Sequence, residues 1–467
     1  MQNELYYDVA VIGAGTSGLY TALSLTDDYA TTGGYACKVA VFSKKSVLGC
    51  SSALAQGGIA AVLDDKNDRF DLHYNDSLIA GGFENNPAAL RVLVESAPDE
   101  ISRLVKYGAE LDKDRDGNYS LGLEGGHSRR RIVHVKDRTG LAVVNALWAA
   151  ANARDNIKVF ENAPVSDIIK GDGYYAVCTG TTLVYAKYVV MATGGIGKLW
   201  KYSTNSDIAT GDGIYLAAKL GADIKQLSYI QFHPTGFKGG TDGRVLLISE
   251  AVRGDGGILL NGDYERFMDK YDSRKELAPR DVVSRSILAE QNAKGNDKFY
   301  IDISHKDPDW VMTRFPFIYG EVLKNGYDIT REPIPIYPCQ HYLMGGIAVD
   351  EDGETDTANL FATGECACTG VHGRNRLASN SLLEALVFPH RIADTIKKRG
   401  FDVPVIKDIA PPRVTDTNEN IEAIQELMQK AFFVNPNIEL CKQGYNTLDD
   451  TAISFCAKRI FEELING

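Results

Sequence analysis

Residues Tyr7 to Ile12 read as a strand that runs straight into Gly13-Ala14-Gly15-Thr16-Ser17-Gly18, and a helical pattern (Leu19, Tyr20, Ala22, Leu23) starts at once. No other stretch limits the possible folds as much. Between a strand and a helix, a glycine-rich turn brings backbone N–H groups close to a pyrophosphate at the helix N-terminus. G-x-G-x-x-G alone is a weak signal. Here it follows the first strand of the chain, opens a helix, and is followed by a second strand-like run, Lys38 to Ser43. Together these predict a βαβ unit of the dinucleotide-binding kind. Each residue from Gly13 through Ala14, Gly15, Thr16, Ser17 and Gly18 is a cofactor candidate. So are Ser43 and Lys44, which stand where a plain NAD protein has the Asp or Glu that grips the ribose. That replacement argues against NAD and leaves room for another dinucleotide.

Two more strand-to-turn segments follow, Tyr188 to Gly195 and Leu360 to Glu365. Their turns, with Ala192, Thr193, Gly194 and Glu365, resemble those that complete the dinucleotide fold in flavoproteins of the glutathione-reductase type. The three segments lie far apart, so something is inserted between them. The expected fold class is α/β: a Rossmann-like FAD-binding domain of the glutathione-reductase type (1–229 and 338–410). Inserted in it is an α+β capping domain (230–337), which is loop-rich with a strand-like run at Phe299 to Ile303. A short helical C-terminal region (411–467) starts at Pro411-Pro412-Arg413 and shows helical spacing at Ile421, Ile424, Leu427, Met428 and Ala431, then again from about 447 to 465.

A chain of 467 residues can bury a large core, and its net charge of −12 disfavours nucleic acid and anionic membranes. No apolar run is long enough to span a bilayer. The N-terminus, Met1 to Glu4, has no basic region, so a cytoplasmic protein is expected. The eight cysteines have no zinc-like spacing, Cys366 and Cys368 forming only a C-x-C pair, and no metal is expected.

The stretch Ser51-Ser52-Ala53-Leu54-Ala55-Gln56-Gly57-Gly58 is rich in small residues and hydroxyls, which let backbone approach a flat ring system. It resembles the flavin loop of the succinate dehydrogenase, fumarate reductase and L-aspartate oxidase superfamily. Further segments match that superfamily in order: Thr210-Gly211-Asp212-Gly213, Gln231-Phe232-His233-Pro234-Thr235, Glu250-Ala251-Val252-Arg253-Gly254, Pro279-Arg280-Asp281, His341-Tyr342-Leu343-Met344-Gly345-Gly346, and the signature from Gly370 to Leu382. The resemblance runs from about residue 7 to 395. It implies FAD, with Val165, Asp212, Asn380, Ser381 and Leu382 joining the cofactor candidates. Members with covalent FAD carry a His in the flavin loop; this loop has none, which implies a noncovalent cofactor.

A dicarboxylate carries two negative charges into a site that must exclude water. Charge-assisted donors are therefore expected around it: Arg376 and His341 for one carboxylate, His233 and the Ser249 hydroxyl for the other, with Ser379 nearby. His73, His127, His134, His305 and His390 read as ordinary core or surface residues, and His372 as intermediate. The superfamily assigns the proton step to an arginine, and Arg280 occupies that place. Arginine has a pKa above about 12, so neighbours must take up the proton. Glu250 and Arg253, three apart, fit one helical face as an Arg–Glu–Arg relay or as a structural ion pair.

Substrate choice turns on Leu123-Glu124-Gly125-Gly126-His127-Ser128. The fumarate and succinate enzymes of the superfamily typically carry Gln where this chain has Glu124. The aspartate oxidases carry Glu-Gly-Gly-His-Ser and then a basic run, here Arg129-Arg130-Arg131. A carboxylate suits an α-ammonium group and is costly when buried unpaired. The other reading puts Glu124 on a surface loop, paired with those arginines. The resemblance implies oxidation of L-aspartate to iminoaspartate, with oxygen (giving hydrogen peroxide) or fumarate reoxidising the flavin. Quinolinate synthase would take the imine onward in NAD biosynthesis. The alternative is a soluble fumarate reductase or a succinate dehydrogenase flavoprotein subunit. Two features depart from the family pattern. The helical tail is short, and Arg374 stands where Ala is common, either adding a cation near Arg376 or facing solvent.

Overall fold

In the computed structural model, which describes residues 5–27, 36–64, 66–180, 182–239, 245–402, 420–449 and 451–467, strand β1 (Leu5–Ile12) runs into the glycine turn and helix α1 (Thr16–Thr26). Strand β2 (Val39–Phe42) then lies parallel to β1, Val9 opposite Val39. Helices α2 (Phe70–Ala80), α3 (Pro87–Lys106) and α4 (Thr139–Asn152) precede β3 (Ile157–Phe160), which pairs with β2. An antiparallel meander follows: β4 (Val165–Lys170), β5 (Tyr175–Thr179) and β6 (Thr182–Met191). Strand β6 returns beside β1 in parallel, Val9 opposite Tyr188. This is the sheet of the expected Rossmann-like domain. The second half of β1 is buried without alternation, as befits a strand packed on both faces.

After helix α5 (Asp212–Lys219) the chain enters a second layer. Strand β7 (Ile230–Phe237), helix α6 (Glu250–Gly254), strand β8 (Ile258–Leu260), helix α7 (Arg280–Lys294) and strands β9 (Tyr300–Asp302) and β10 (Ile334–Leu343) build a four-stranded sheet in the order β7-β10-β9-β8. It has its own core, including Phe237, Val252, Phe267, Ile287 and Ile301. The expected junction at 337/338 falls inside β10, so one continuous strand carries the chain out of this unit. Strand β11 (Leu360–Ala362) pairs with the end of β6, and helix α8 (Asn380–Arg399) packs on α1.

Described residues of the tail form three helices, one more than sequence spacing suggests: α9 (Ile421–Ala431), α10 (Ile438–Tyr445) and α11 (Ala452–Asn466). Helix α10 is only eight residues long, and its inward face of Leu440, Cys441, Gly444 and Tyr445 is too short and too small in apolar side chains to stand out in sequence spacing. Pro411-Pro412-Arg413 lies outside the described residues. The tail is an integral cover: Met428, Ile453, Cys456, Ile460 and Phe461 share a core with Ala10, Ile12 and Val189 on one sheet face. Val9, Val11 and Val190 meet α1, α3, α4 and α8 on the other.

Candidate active site

The ends of β1, β6 and β11 open onto a cavity of about 230 Å³ that runs from the glycine turn to the edge of the second layer. Two guanidiniums stand at its far end. Arg280, at the start of α7, donates from Nε to Glu250 Oε2 (2.5 Å) and from Nη1 to Gln231 Oε1 (2.9 Å). Glu250 Oε1 accepts from Arg253 Nη2 at 2.5 Å. The carboxylate thus bridges two arginines, with Glu250 and Arg253 one turn apart on α6 as their spacing predicted. Arg253 is fully buried behind this pair, and that burial lowers its guanidinium pKa.

Arg376 donates from Nη2 to the same Gln231 oxygen at 3.2 Å and from Nη1 to Ser381 Oγ, and its guanidinium lies 4.2 Å over the Tyr342 ring. Burial pulls its pKa down to about 10, so it is still a cation at neutral pH. Gln231 therefore spaces the two guanidiniums. Its own Nε2 donates to Asn375 Oδ1 and the Arg376 carbonyl, both at 2.7 Å. Sequence places Gln231 in the Gln-Phe-His-Pro-Thr motif, but an uncharged amide gives little sign there of such a role.

Glu124 faces this end of the cavity from the turn between the short strands Leu121–Gly122 and Ile132–Val133. It is 3% exposed, and its Oε2 accepts from Ser379 Oγ at 2.5 Å. Burial raises its carboxyl pKa, opposed by the Ser379 hydrogen bond and by Arg280 and Arg376. The surface-loop reading fails. Arg129 and Arg130 are exposed and bond to backbone carbonyls, and the buried Arg131 pairs with Asp68 and Asp76. Ser379 itself has φ +62°, a left-handed conformation uncommon for a residue with a side chain.

Both His233 and His341 have pKa values well below the usual range, first through burial and then through the nearby arginines, so they are neutral donors and not cations. The backbone N–H of Thr235 donates to His233 Nδ1 at 3.2 Å, which puts the ring proton on Nε2. That atom lies 3.9 Å from Glu250 Oε2 and has no hydrogen-bond partner among the described residues; the ring sits 5.0 Å from that of His341 and is not itself part of the cavity lining. His341 lines the cavity, its Nδ1 held 2.7 Å from Thr204 Oγ1. Thr204 also lines the cavity, and its isolated hydroxyl belongs to no motif that sequence could show. Ser249 caps α6 by accepting from Ala251 N, which leaves its own proton free to donate into the cavity.

Residues 8–382 match the family described as FAD binding domain. L-Aspartate oxidase of Clostridium perfringens is 46% identical over 82% of this chain and 85% of its own length. The L-aspartate oxidase 1 of Ralstonia nicotianae is 42% identical over 89% and 79%. The chain belongs to the L-aspartate oxidase family. Among solved structures, E. coli quinol fumarate reductase FrdA superposes with a TM-score of 0.86 at 29% identity, covering 99% of this chain and 87% of that one. A Mycobacterium smegmatis Sdh1 structure gives 0.75 at 30%, covering 99% and 84%.

The cofactor of this family is FAD, and the cavity fits it. Helix α1 begins at the wall without a side-chain cap from Gly15, and its first N–H, of Thr16, donates to Ser52 Oγ (3.3 Å), a hydroxyl that also lines the cavity where a pyrophosphate would sit. Buried Thr16 Oγ1 and Gln56 Oε1 lack partners among the described residues, as donors and acceptors awaiting a ligand do. Most cofactor candidates line the cavity: 13–17, Ser43, Lys44, Ser51, Ser52, 54–58, Val165, 192–194, Asp212, Glu365, Ser381 and Leu382. Gly18, Ala53 and Asn380 do not. Gly18 packs under the Gly13 carbonyl, Ala53 is buried within its 3-10 turn, and Asn380 turns to His73 and Ser77 on α2. Lys44 instead reaches Asp212 (2.5 Å) and Thr210. Arg374 faces solvent and pairs with Glu84, so it adds no cation to the site. Cys366 and Cys368 are buried thiols whose pKa values burial raises. Among the described residues no cluster could hold a metal.

A Cβ on Gly13, whose φ is +117°, would overlap the Ala192 carbonyl where the β1 and β6 turns meet. Gly13→Ala is expected to yield a folded protein that purifies without flavin absorbance. An FAD-replete Gly13→Ala protein would show that this turn tolerates a side chain.

Proposed function

We propose that this chain oxidises L-aspartate to iminoaspartate with FAD as electron acceptor, the first step of quinolinate and NAD biosynthesis. Glu124 carries the reading. It is a buried carboxylate with one oxygen fixed by Ser379, and Oε1 receives no hydrogen bond from the described residues. Beside it stand the guanidiniums of Arg376 and of Arg280, the latter already bonded to Glu250, so cations for two carboxylates and an anion for one ammonium share this end of the cavity.

Bound FAD supplies a two-electron acceptor. Arg376 and Arg280 hold the substrate carboxylates, with neutral hydrogen bonds from His341 and Ser249. Glu124 holds the ammonium group and so orients Cα. One proton leaves the substrate along with the hydride. Arg280 takes it while passing its own Nε proton to Glu250 Oε2, and Arg253 holds the other oxygen of Glu250 in place. His233 lies beside Glu250, and its buried Nε2 has no hydrogen-bond partner among the described residues, as suits a donor to the substrate. Leu247, Ser249, Glu250 and Arg280, from this inserted stretch, wall this end of the site against water.

A flavin loop without histidine supports a noncovalent FAD. Oxygen, giving hydrogen peroxide, or fumarate reoxidises it, and the imine passes to quinolinate synthase. The work is done in the cytoplasm; among the described residues no helix is long and apolar enough to cross a membrane. Fumarate reduction is a second activity of the same site, favoured because the Arg280–Glu250–Arg253 chain needs no ammonium partner. Anaerobic mixing tests the assignment: L-aspartate is expected to bleach the flavin, and bleaching by succinate but not by aspartate would overturn it.

A further inference from the structure

The turn that carries Glu124 closes with a hydrogen bond from His127 N to Glu124 O (3.2 Å). Its second central residue, Gly126, has φ +83° and touches Leu377, while Gly125 lies against Glu250 Oε1 with no room for a side chain. Beneath the turn, Arg131 is completely buried. It grips Asp68 with two bonds (2.8 and 2.9 Å), and its Nη1 reaches Asp76 Oδ2 (2.6 Å) and His127 Nδ1 (3.1 Å).

An arginine can only donate, so His127 Nδ1 accepts and the ring proton sits on Nε2. Nε2–H then donates to the Ala378 carbonyl at 2.9 Å. The next residue, Ser379, donates to Glu124, so the two loops are stitched at both ends of the turn. Only one of those stitches touches the ammonium-facing carboxylate directly. The other, through His127, fixes the turn's distance from the Arg376 loop. The guanidinium of Arg376 has separate supports in Ser381, Gln231 and the Tyr342 ring.

We infer that His127, held by Arg131, is a positioning residue that clamps the Glu124 turn to the loop bearing Arg376 and Ser379, and so sets the preference for a substrate with an α-ammonium group. The inference rests on the proposed ammonium role of Glu124. Losing the clamp lets Glu124 drift while Arg376 stays in place, so aspartate oxidation suffers and fumarate reduction does not. Purely structural packing by His127 would move both activities together.

The test compares His127→Leu and His127→Gln as FAD holoenzymes. The Gln side chain accepts from Arg131 and donates to the Ala378 carbonyl, as the histidine does. His127→Leu is expected to lower kcat/KM for L-aspartate by about tenfold or more, through a higher KM, with fumarate reduction nearly unchanged. His127→Gln is expected to recover most of the aspartate activity. Equal loss of both activities in His127→Leu, or no recovery in His127→Gln, would overturn the clamp. Glu124→Gln, run in parallel, separates the two ideas. If it keeps aspartate turnover, the ammonium reading falls. If it loses aspartate turnover selectively while His127→Leu matches the unmodified enzyme, only the clamp falls.

Discussion

Arg280→Met is expected to cut both flavin reduction by L-aspartate and turnover of fumarate by a factor of roughly 10² to 10⁴, the usual range for removing a positioned proton donor or acceptor. Arg280 is the one member of the relay at the cavity wall that has a guanidinium Nη2 with no protein partner among the described residues. The loss should fall mainly on kcat, because Arg376 remains to hold a carboxylate. Rapid mixing under anaerobic conditions measures the chemical step directly, and a change confined to KM would show that Arg280 only binds. Arg280→Met is also the cleanest substitution in the relay. It leaves Glu250 paired with Arg253. Glu250→Gln, by contrast, strands a fully buried arginine, and breaking such a pair costs about 3–5 kcal/mol of stability. A dead Glu250→Gln enzyme would thus mix lost chemistry with lost fold.

What could be seen in the sequence divides along physical lines. The glycine turn at 13–18 and the turns at 192–195 and 363–365 are visible because close backbone approach restricts residue type, and all three meet at the cavity. The relay is visible because a three-residue spacing on a helix puts Glu250 and Arg253 on one face. Protonation states are not visible. His233 and His341 look like cationic clamps on paper, but burial beside arginines keeps them neutral. Nor does sequence show which arginine in a basic run goes inside. Arg129, Arg130 and Arg131 read alike, yet the acceptors for Arg131, Asp68 and Asp76, lie 63 and 55 positions earlier in the chain. The tail shows the same limit, since the short α10 puts only Leu440, Cys441, Gly444 and Tyr445 inward, too brief a pattern to mark a helix without its packing partners. Charge pairs across long sequence separations are what the chain alone conceals.

Glu124→Gln tests the residue on which substrate choice depends. Replacing the carboxylate by its amide keeps the volume and removes the charge, so the ammonium group would lose its buried partner. Truncating one side of such a pair costs about 2–5 kcal/mol, and the lower end alone is a fall of about thirtyfold in kcat/KM for L-aspartate. Fumarate has no ammonium group, and its reduction should change little. The pH profile gives an independent check. Burial raises the Glu124 carboxyl above the ordinary carboxylate range. Only the ionised form pairs with an ammonium, so kcat/KM for aspartate should fall as the pH drops through that raised value. The fumarate profile should lack this acidic limb, and Glu124→Gln should lose it for aspartate as well. If the limb survives in Glu124→Gln, another group controls it; if both activities fall together, Glu124 shapes the site without choosing the substrate. Selective loss together with a vanished limb would assign amino-acid specificity to one carboxylate set beside proton-transfer machinery that fumarate reduction also uses.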